Sequence, residues 1–266
     1  MFLKLTLSVL IITFSLTFNL YSYNRAIIIS PAVSDIFLKL HLEDKVVGVT
    51  KHIKGFKNAV KVGTHIKPNL EIIKSLNPDI IIISSYRFFP KDFVKKFNAR
   101  IYVYNPYTLK QILDNILEIG KLFNKEKESQ QLIAKLKEKL LQVKNLKYHP
   151  KVVYEIMQNP YILAGQKNII SDIIKTAGGK NIIKVNKKLV KFSQEKVRFL
   201  NPDIYIYQVG PMNKNPLNPL KRVWFKGCKF KVLKVNEINF ARPNTQSFDN
   251  VLFLNKFFYK IFNEKN

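Results

Sequence analysis

The chain has 266 residues but only one cysteine, one tryptophan and nine glycines, and its 45 basic residues face just 18 acids. A single cysteine cannot close an internal disulfide, and it excludes a cysteine-built zinc or iron-sulfur site within one chain. Cys228 therefore reads as a buried or half-buried bystander. Catalytic signatures are also missing: there is no G-x-S-x-G elbow, no P-loop, no G-x-G-x-x-G and no H-E-x-x-H. The shortage of acids leaves a formal charge of +27. Its lysines are spread through every segment instead of forming a stripe interleaved with aromatics, so the charge reads as solvated faces and implies no nucleic-acid partner.

What the chain does have is one statement made twice. Asn69-Leu-Glu-Ile-Ile-Lys-Ser-Leu-Asn-Pro-Asp-Ile-Ile-Ile-Ile83 returns as Ser193-Gln-Glu-Lys-Val-Arg-Phe-Leu-Asn-Pro-Asp-Ile-Tyr-Ile-Tyr207. Each copy runs from an N-cap (Asn69, Ser193) through a short helix, with Leu70, Ile73 and Leu76 on one face and Val197 and Leu200 on the other copy's face. Pro78 and Pro202 end the helices, because the residue before a proline is pushed out of helical geometry. The strands that follow are apolar at successive positions, as strands covered on both faces are. Two lobes, each a helix-flanked sheet, follow from this.

Along the chain, Met1 to Lys4 and the apolar run from Leu5 to about Leu20 have the charged and apolar regions of a secretory signal, so residues 1–23 read as a signal peptide or N-terminal anchor. Strand-like Ala26 to Ile29, a helix opened by Ser30-Pro31, strand-like Val46 to Val49, the first repeat copy and a strand at Arg100 to Tyr104 alternate as in a parallel α/β lobe, residues 24–122. From Thr108 to Leu146 the pattern is helical throughout, with no glycine or proline after Gly120. One continuous helix there, with the connector at 123–148, would bridge the lobes stiffly and limit hinge motion. The second α/β lobe covers 149–266.

Several segments resemble the class of periplasmic solute-binding proteins that serve ABC importers of cobalamin, ferric siderophores and haem. They are Ser30-Pro-Ala-Val-Ser-Asp-Ile36, Val47-Gly-Val49, Val62-Gly-Thr-His-Ile-Lys-Pro-Asn-Leu-Glu71 with Asn77-Pro-Asp79, Ala164-Gly165 with Ala177-Gly-Gly179, Phe192-Ser-Gln-Glu195 and Phe240-Ala-Arg-Pro243. The resemblance covers nearly all of the chain after the export segment. It implies a class III periplasmic binding protein, two Rossmann-like lobes joined by a single long backbone helix. It also implies export to the periplasm or cell surface, a monomer with no enzymatic turnover and no intrinsic cofactor, and partnership with a permease and, through it, an ATPase.

By position, the resemblance gives Glu71 and Glu195 the role of pairing with permease arginines. A glutamate in the first turn of a surface helix, once per lobe, makes a two-point charged docking face on physical grounds as well. The ligand would lie in the cleft between lobes. His65 occupies the family's first-lobe contact position, where relatives place a large aromatic or an arginine; an imidazole there can ligate haem iron, a metal chelate or a bare ion. His52, in a loop near the cleft, is a candidate partner. Arg87 and Arg242, two of only six arginines, suit carboxylates of citrate, haem propionates or corrin-type side chains. Tyr86, Tyr161 and Phe240, with Tyr107 and Trp224, are loop aromatics able to hold a flat macrocycle. His41 and His149 read as surface or capping residues. A haem, a corrinoid and a ferric chelate all stay open as ligands. An exported tetrapyrrole chelatase or a bare metal-ion binding protein using His65 is the alternative.

Overall fold

The computed structural model describes residues 22–263. The signal peptide or anchor expected at 1–23 thus lies almost wholly outside the described residues, and none of the described helices is long and apolar enough to cross a membrane.

The first half places strands β1 (Ala26–Ile28), β2 (Val46–Val49), β3 (Val60–Lys61), β4 (Ile80–Ile83) and β5 (Arg100–Val103) in one sheet of order β3-β2-β1-β4-β5. Every pairing in it is parallel. Helices α1 (Ser34–Lys39), α2 (Leu70–Ser75), α3 (Lys91–Val94) and α4 (Leu109–Leu122) alternate with the strands, and α5 (Glu126–Leu141) follows. The four consecutive isoleucines of β4 are all buried, as expected of a strand covered on both faces. This is the doubly wound order, which opens a crevice outside the carboxyl ends of the strands where the winding reverses, here between β1 and β4.

The second half contributes β6 (Lys151–Met157), β7 (Ile162–Ala164), α6 (Ile169–Thr176), β8 (Lys180–Asn181), β9 (Leu189–Lys191), α7 (Gln194–Leu200), β10 (Ile204–Val209), β11 (Lys231–Asn236), α8 (Glu237–Phe240) and α9 (Gln246–Phe262). Its sheet runs β11-β10-β6-β7-β9, with β8 beside β6. β6, β8, β10 and β11 are parallel, whereas β7 and β9 join antiparallel, so this sheet is mixed.

The repeated segment folds the same way twice. Asn69 Oδ1 accepts from the Glu71 and Ile72 amides, and Ser193 Oγ accepts from the Lys196 amide. Asn77 and Asn201 both take left-handed backbone, at φ 43° and 45°. The helix thus stops at an asparagine that tolerates this region before the proline is reached. Asp79 then accepts from the Asn24 and Arg25 amides ahead of β1, while Asp203 accepts from the Lys151 amide at the start of β6. Ile73 and Val197 are the buried residues of α2 and α7, whereas Leu200 stays 37% exposed.

Two sequence expectations shift. α1 starts at Ser34, not after Ser30, because the Ser30 amide still bonds to the Ile82 carbonyl and extends the sheet. The long helical run is broken, so the connector expected at 123–148 is the shorter α5, ending at Leu141. The chain reverses at Phe123 to Lys125, with Asn124 at φ 54° and the Lys125 amide capping the Gly120 carbonyl at 2.7 Å. Any side chain on Gly120 would collide with Ser129, so this glycine lets α4 and α5 pack as a hairpin.

Three apolar cores result. One lies on each sheet's outer face, and a third runs without interruption from Ile28 and Phe37 through α4, α5 and α6 to Tyr154, Phe240 and the α9 residues Phe248 and Phe258. The halves share this core, and hydrogen bonds cross beside it. Asp35 of α1 accepts from the Thr245 amide at 3.0 Å and its hydroxyl at 2.6 Å, and the Tyr104 hydroxyl donates to the Pro243 carbonyl at 2.8 Å. The Asp172 carboxylate of α6 accepts from the Leu109 amide, and Lys139 of α5 pairs with Asp249 of α9. Asp35→Ala leaves both buried Thr245 donors unpaired and is expected to lower unfolding stability by about 1.5 to 3 kcal/mol, the range for hydrogen bonds to a charged group. Urea unfolding reads this directly, and an unchanged midpoint would discount the cross-link.

Candidate functional site

His65 stands at the tip of a tight loop between β3 and α2. Gly63 and Pro68 bridge its base, the Thr64 amide bonds to the Lys67 carbonyl at 3.1 Å, and the Lys67 amide returns to the Thr64 hydroxyl at 3.0 Å. Gly63 has φ 89°, and a Cβ there would meet the Lys67 carbonyl oxygen at 2.7 Å, so only glycine fits this closure. The Lys51 amide bonds to the Gly63 carbonyl at 2.7 Å, which lays the 50–53 loop beside it. The histidine is therefore held by backbone on a rigid turn at the carboxyl end of a strand.

Two sequence-chosen residues act electrostatically on His65. Partial burial lowers its pKa below the ordinary 6.5, and the Arg242 guanidinium and then His52 push it the same way. Arg242 follows α8 in the second half, in the segment that Asp35 and Tyr104 tie to the first, so its charge acts on His65 from the other half of the chain. His52 is exposed and lies on the same side as His65.

Phe88 joins them, its ring edge-on to His65 with centroids 6.2 Å apart and the Arg87 guanidinium 5.4 Å above it. Sequence reasoning passed over Phe88, although its place in the loop after β4, beside Tyr86 and Arg87, was the available signal. Tyr86 and Arg87 are exposed in that loop, with the Lys91 ammonium 5.8 Å over the Tyr86 ring. Glu237 was also missed. Half-buried at the start of α8, it accepts from the Met212 amide at 2.8 Å, burial raises its pKa, and Arg242 acts to lower it.

Two chosen aromatics do other work. Phe240 is 4% exposed and stacks on Tyr154 at 6.0 Å within the shared core, because α8 turns it inward. Tyr161 spends its hydroxyl on Tyr205, which in turn donates to the buried Glu155 carboxylate held by Arg222. Burial raises the Tyr161 pKa. Phe240 is thus a core residue, whereas Tyr161 is a partly buried ring packed against the second half's core. Trp224 lies on a short 3-10 turn packed against α7. His149 caps, its ring meeting the Gly178 carbonyl at 2.7 Å. Glu71 and Glu195 are exposed in the first turns of α2 and α7.

Chemically, His65 offers an imidazole that stays neutral to lower pH than usual, within reach of the Arg242 charge and against the edge of Phe88. Among the described residues, no three His, Cys, Asp or Glu side chains gather into a set able to hold a metal ion.

The family model described as periplasmic binding protein matches residues 27–208. The chain belongs to this family. The High-affinity heme uptake system protein IsdE of Staphylococcus aureus strain MRSA252 is 29% identical over 197 residues, which span 69% of this chain and 66% of that protein. In other strains of that species the match spans 54% of the relative's length. The crystal structure of S. aureus IsdE complexed with heme superposes with a TM-score of 0.73 at 25% identity, covering 88% of this chain and 98% of that one. An ABC transporter substrate-binding protein from Listeria monocytogenes EGD-e shares the fold at TM-score 0.77 and 20% identity, covering 89% and 99%. The two-lobed α/β fold of this binding protein is thus that of the class III members.

The lowered His65 pKa has a direction that can be measured. Its ring stays neutral to lower pH than a free imidazole, so any coordination through it is present above its pKa and lost as pH falls through that value. An NMR titration is expected to place the His65 midpoint below 6.5. Arg242→Gln should move it upward, still short of 6.5 because burial remains. An unchanged midpoint in Arg242→Gln would remove the electrostatic link between the two residues.

Proposed function

We propose that this protein captures an anionic metal complex, a metal-bearing macrocycle of the haem type, in the cleft between its lobes and delivers it to a membrane permease. The observation that carries this reading is that the Arg242 charge, from the other half of the chain, acts on His65, which stands on a rigid turn edge-on to Phe88. A neutral imidazole on a rigid turn supplies an axial ligand to the metal, and a guanidinium opposite it supplies a partner for carboxylates on the ring edge. Phe88 gives the ring an apolar face to rest against. The relative named for heme uptake and the heme-bound structure support the same cargo. The protein supplies no bond-breaking step; it binds, orients and releases.

The cleft is preformed, because the shared core and the bonds at Asp35 and Tyr104 fix the lobes, so capture involves little closure. Glu71 and Glu195 then form a two-point docking face for permease arginines, and the permease is driven by its ATPase. Residues 1–23 export the protein to the periplasm or cell surface, where it works as a monomer.

An absorbance titration of the purified protein with haem, cobalamin and ferric citrate tests the cargo. Haem is expected to give a saturable Soret shift, and His65→Ala to weaken it at least about tenfold, the effect of losing an interaction of about 1.4 kcal/mol. A spectral change with cobalamin or ferric citrate alone would overturn haem as cargo, and an unaffected His65→Ala variant would overturn its ligand role. For docking, the Glu71→Ala/Glu195→Ala variant is expected to lose transport in whole cells while binding cargo normally. Loss of cargo affinity in that variant would move these glutamates out of the docking face.

A further inference from the structure

The second lobe carries an unpartnered apolar patch on the element that bears Glu195. Phe199 is 78% exposed, Val223 85% and Trp224 52%, with Leu217 and Leu220 also open to solvent. Phe199 stands four residues after Glu195 in α7, so the two share one helical face. α7 packs against the 3-10 turn Val223–Phe225. Phe225 plugs that turn into the core against Tyr205 and Phe230, with ring centroids 5.3 and 5.5 Å away, which leaves Val223 and Trp224 facing outward.

The rim of the patch is cationic. Lys196 and Arg198 of α7 are exposed, as are Lys221, Lys226 and Lys229, and no acid occurs from Leu217 to Phe230. We propose that this face is a membrane-contact patch, which seats Trp224, Val223 and Phe199 among the headgroups of an anionic bilayer.

Charge complementarity chooses the occupant. Indole and phenyl rings settle at the headgroup level, and lysine and arginine stems lie along the acyl boundary with their charges on lipid phosphates. A permease surface that offers arginines to Glu195 would be repelled by this rim, whereas anionic lipid beside that permease would be attracted. Only the direction of the patch toward the membrane rests on the docking role of Glu195.

Trp224 is the sole tryptophan of the chain, so its fluorescence reports on the patch alone, whatever the N-terminal segment does. The test mixes the full chain with permease-free vesicles of phosphatidylglycerol and phosphatidylcholine, against phosphatidylcholine alone, with brominated lipid as quencher. Expected are a blue shift and quenching of Trp224 with the anionic vesicles, both lost in about 1 M salt, where charges are screened beyond about 3 Å. Phe199→Ser/Val223→Ser keeps the probe and should demand at least about tenfold more lipid for half-maximal quenching, with its circular dichroism and cargo titration unchanged. Unquenched Trp224 on anionic vesicles that carry the protein would overturn the proposal, as would quenching that appears only when the vesicles contain permease. Unimpaired transport by the Glu71→Ala/Glu195→Ala variant would overturn docking and leave the vesicle result standing, so the two readings fail separately.

Discussion

The bond on which the site depends lies outside it. Asp35 of the first lobe holds the Thr245 amide and hydroxyl, and Tyr104 holds the Pro243 carbonyl. Together they fasten the segment that carries Arg242 to the lobe that carries His65. Were that segment free, Arg242 would have no fixed distance from the imidazole, and two groups from distant parts of the chain would not act as one site. The carboxylate is the stronger member, because a charged acceptor makes bonds roughly twice as strong as a neutral one.

The same constraint shapes the mechanics. A two-lobed binder can close on its ligand by a hinge or wait with its cleft already formed. Here one apolar core passes from the first lobe through α4, α5 and α6 to α9, and separating the lobes would expose part of it to water. Stiffness expected of one long connecting helix is supplied instead by a helical hairpin welded to α9. The route differs, yet the consequence for the cleft is alike: rigidity comes from packing and not from the length of one element.

Much of this was readable in the residues. The repeated segment gave its caps, its buried strands and the placement of Glu71 and Glu195 on paired helices. The resemblance also put His65 at the first-lobe contact position and Arg242 in a loop expected at the cleft. What escaped was whatever depends on contact between distant segments. Phe240 and Tyr161 looked like loop aromatics because nothing local shows that Tyr154 and Tyr205 wait for them in the interior. The break at Asn124 escaped because an asparagine can enter left-handed backbone without the glycine or proline that usually marks a turn. Phe88 and Glu237 matter only through neighbours supplied by tertiary structure.

The Asn-Pro-Asp turn of the first lobe also bears on where an export segment can be cut. Asp79 grips the amides of Asn24 and Arg25, the former at 2.7 Å, and the Tyr23 amide bonds to the Leu122 carbonyl. A peptidase that cuts just before Asn24 would convert that amide into an ammonium lying against the Asp79 carboxylate, replacing a hydrogen bond with an ion pair. A cut two residues further on would strip the aspartate of both partners and leave β1 without its anchor. The Asp79 anchor of β1 thus depends on Asn24 and Arg25 staying in the chain.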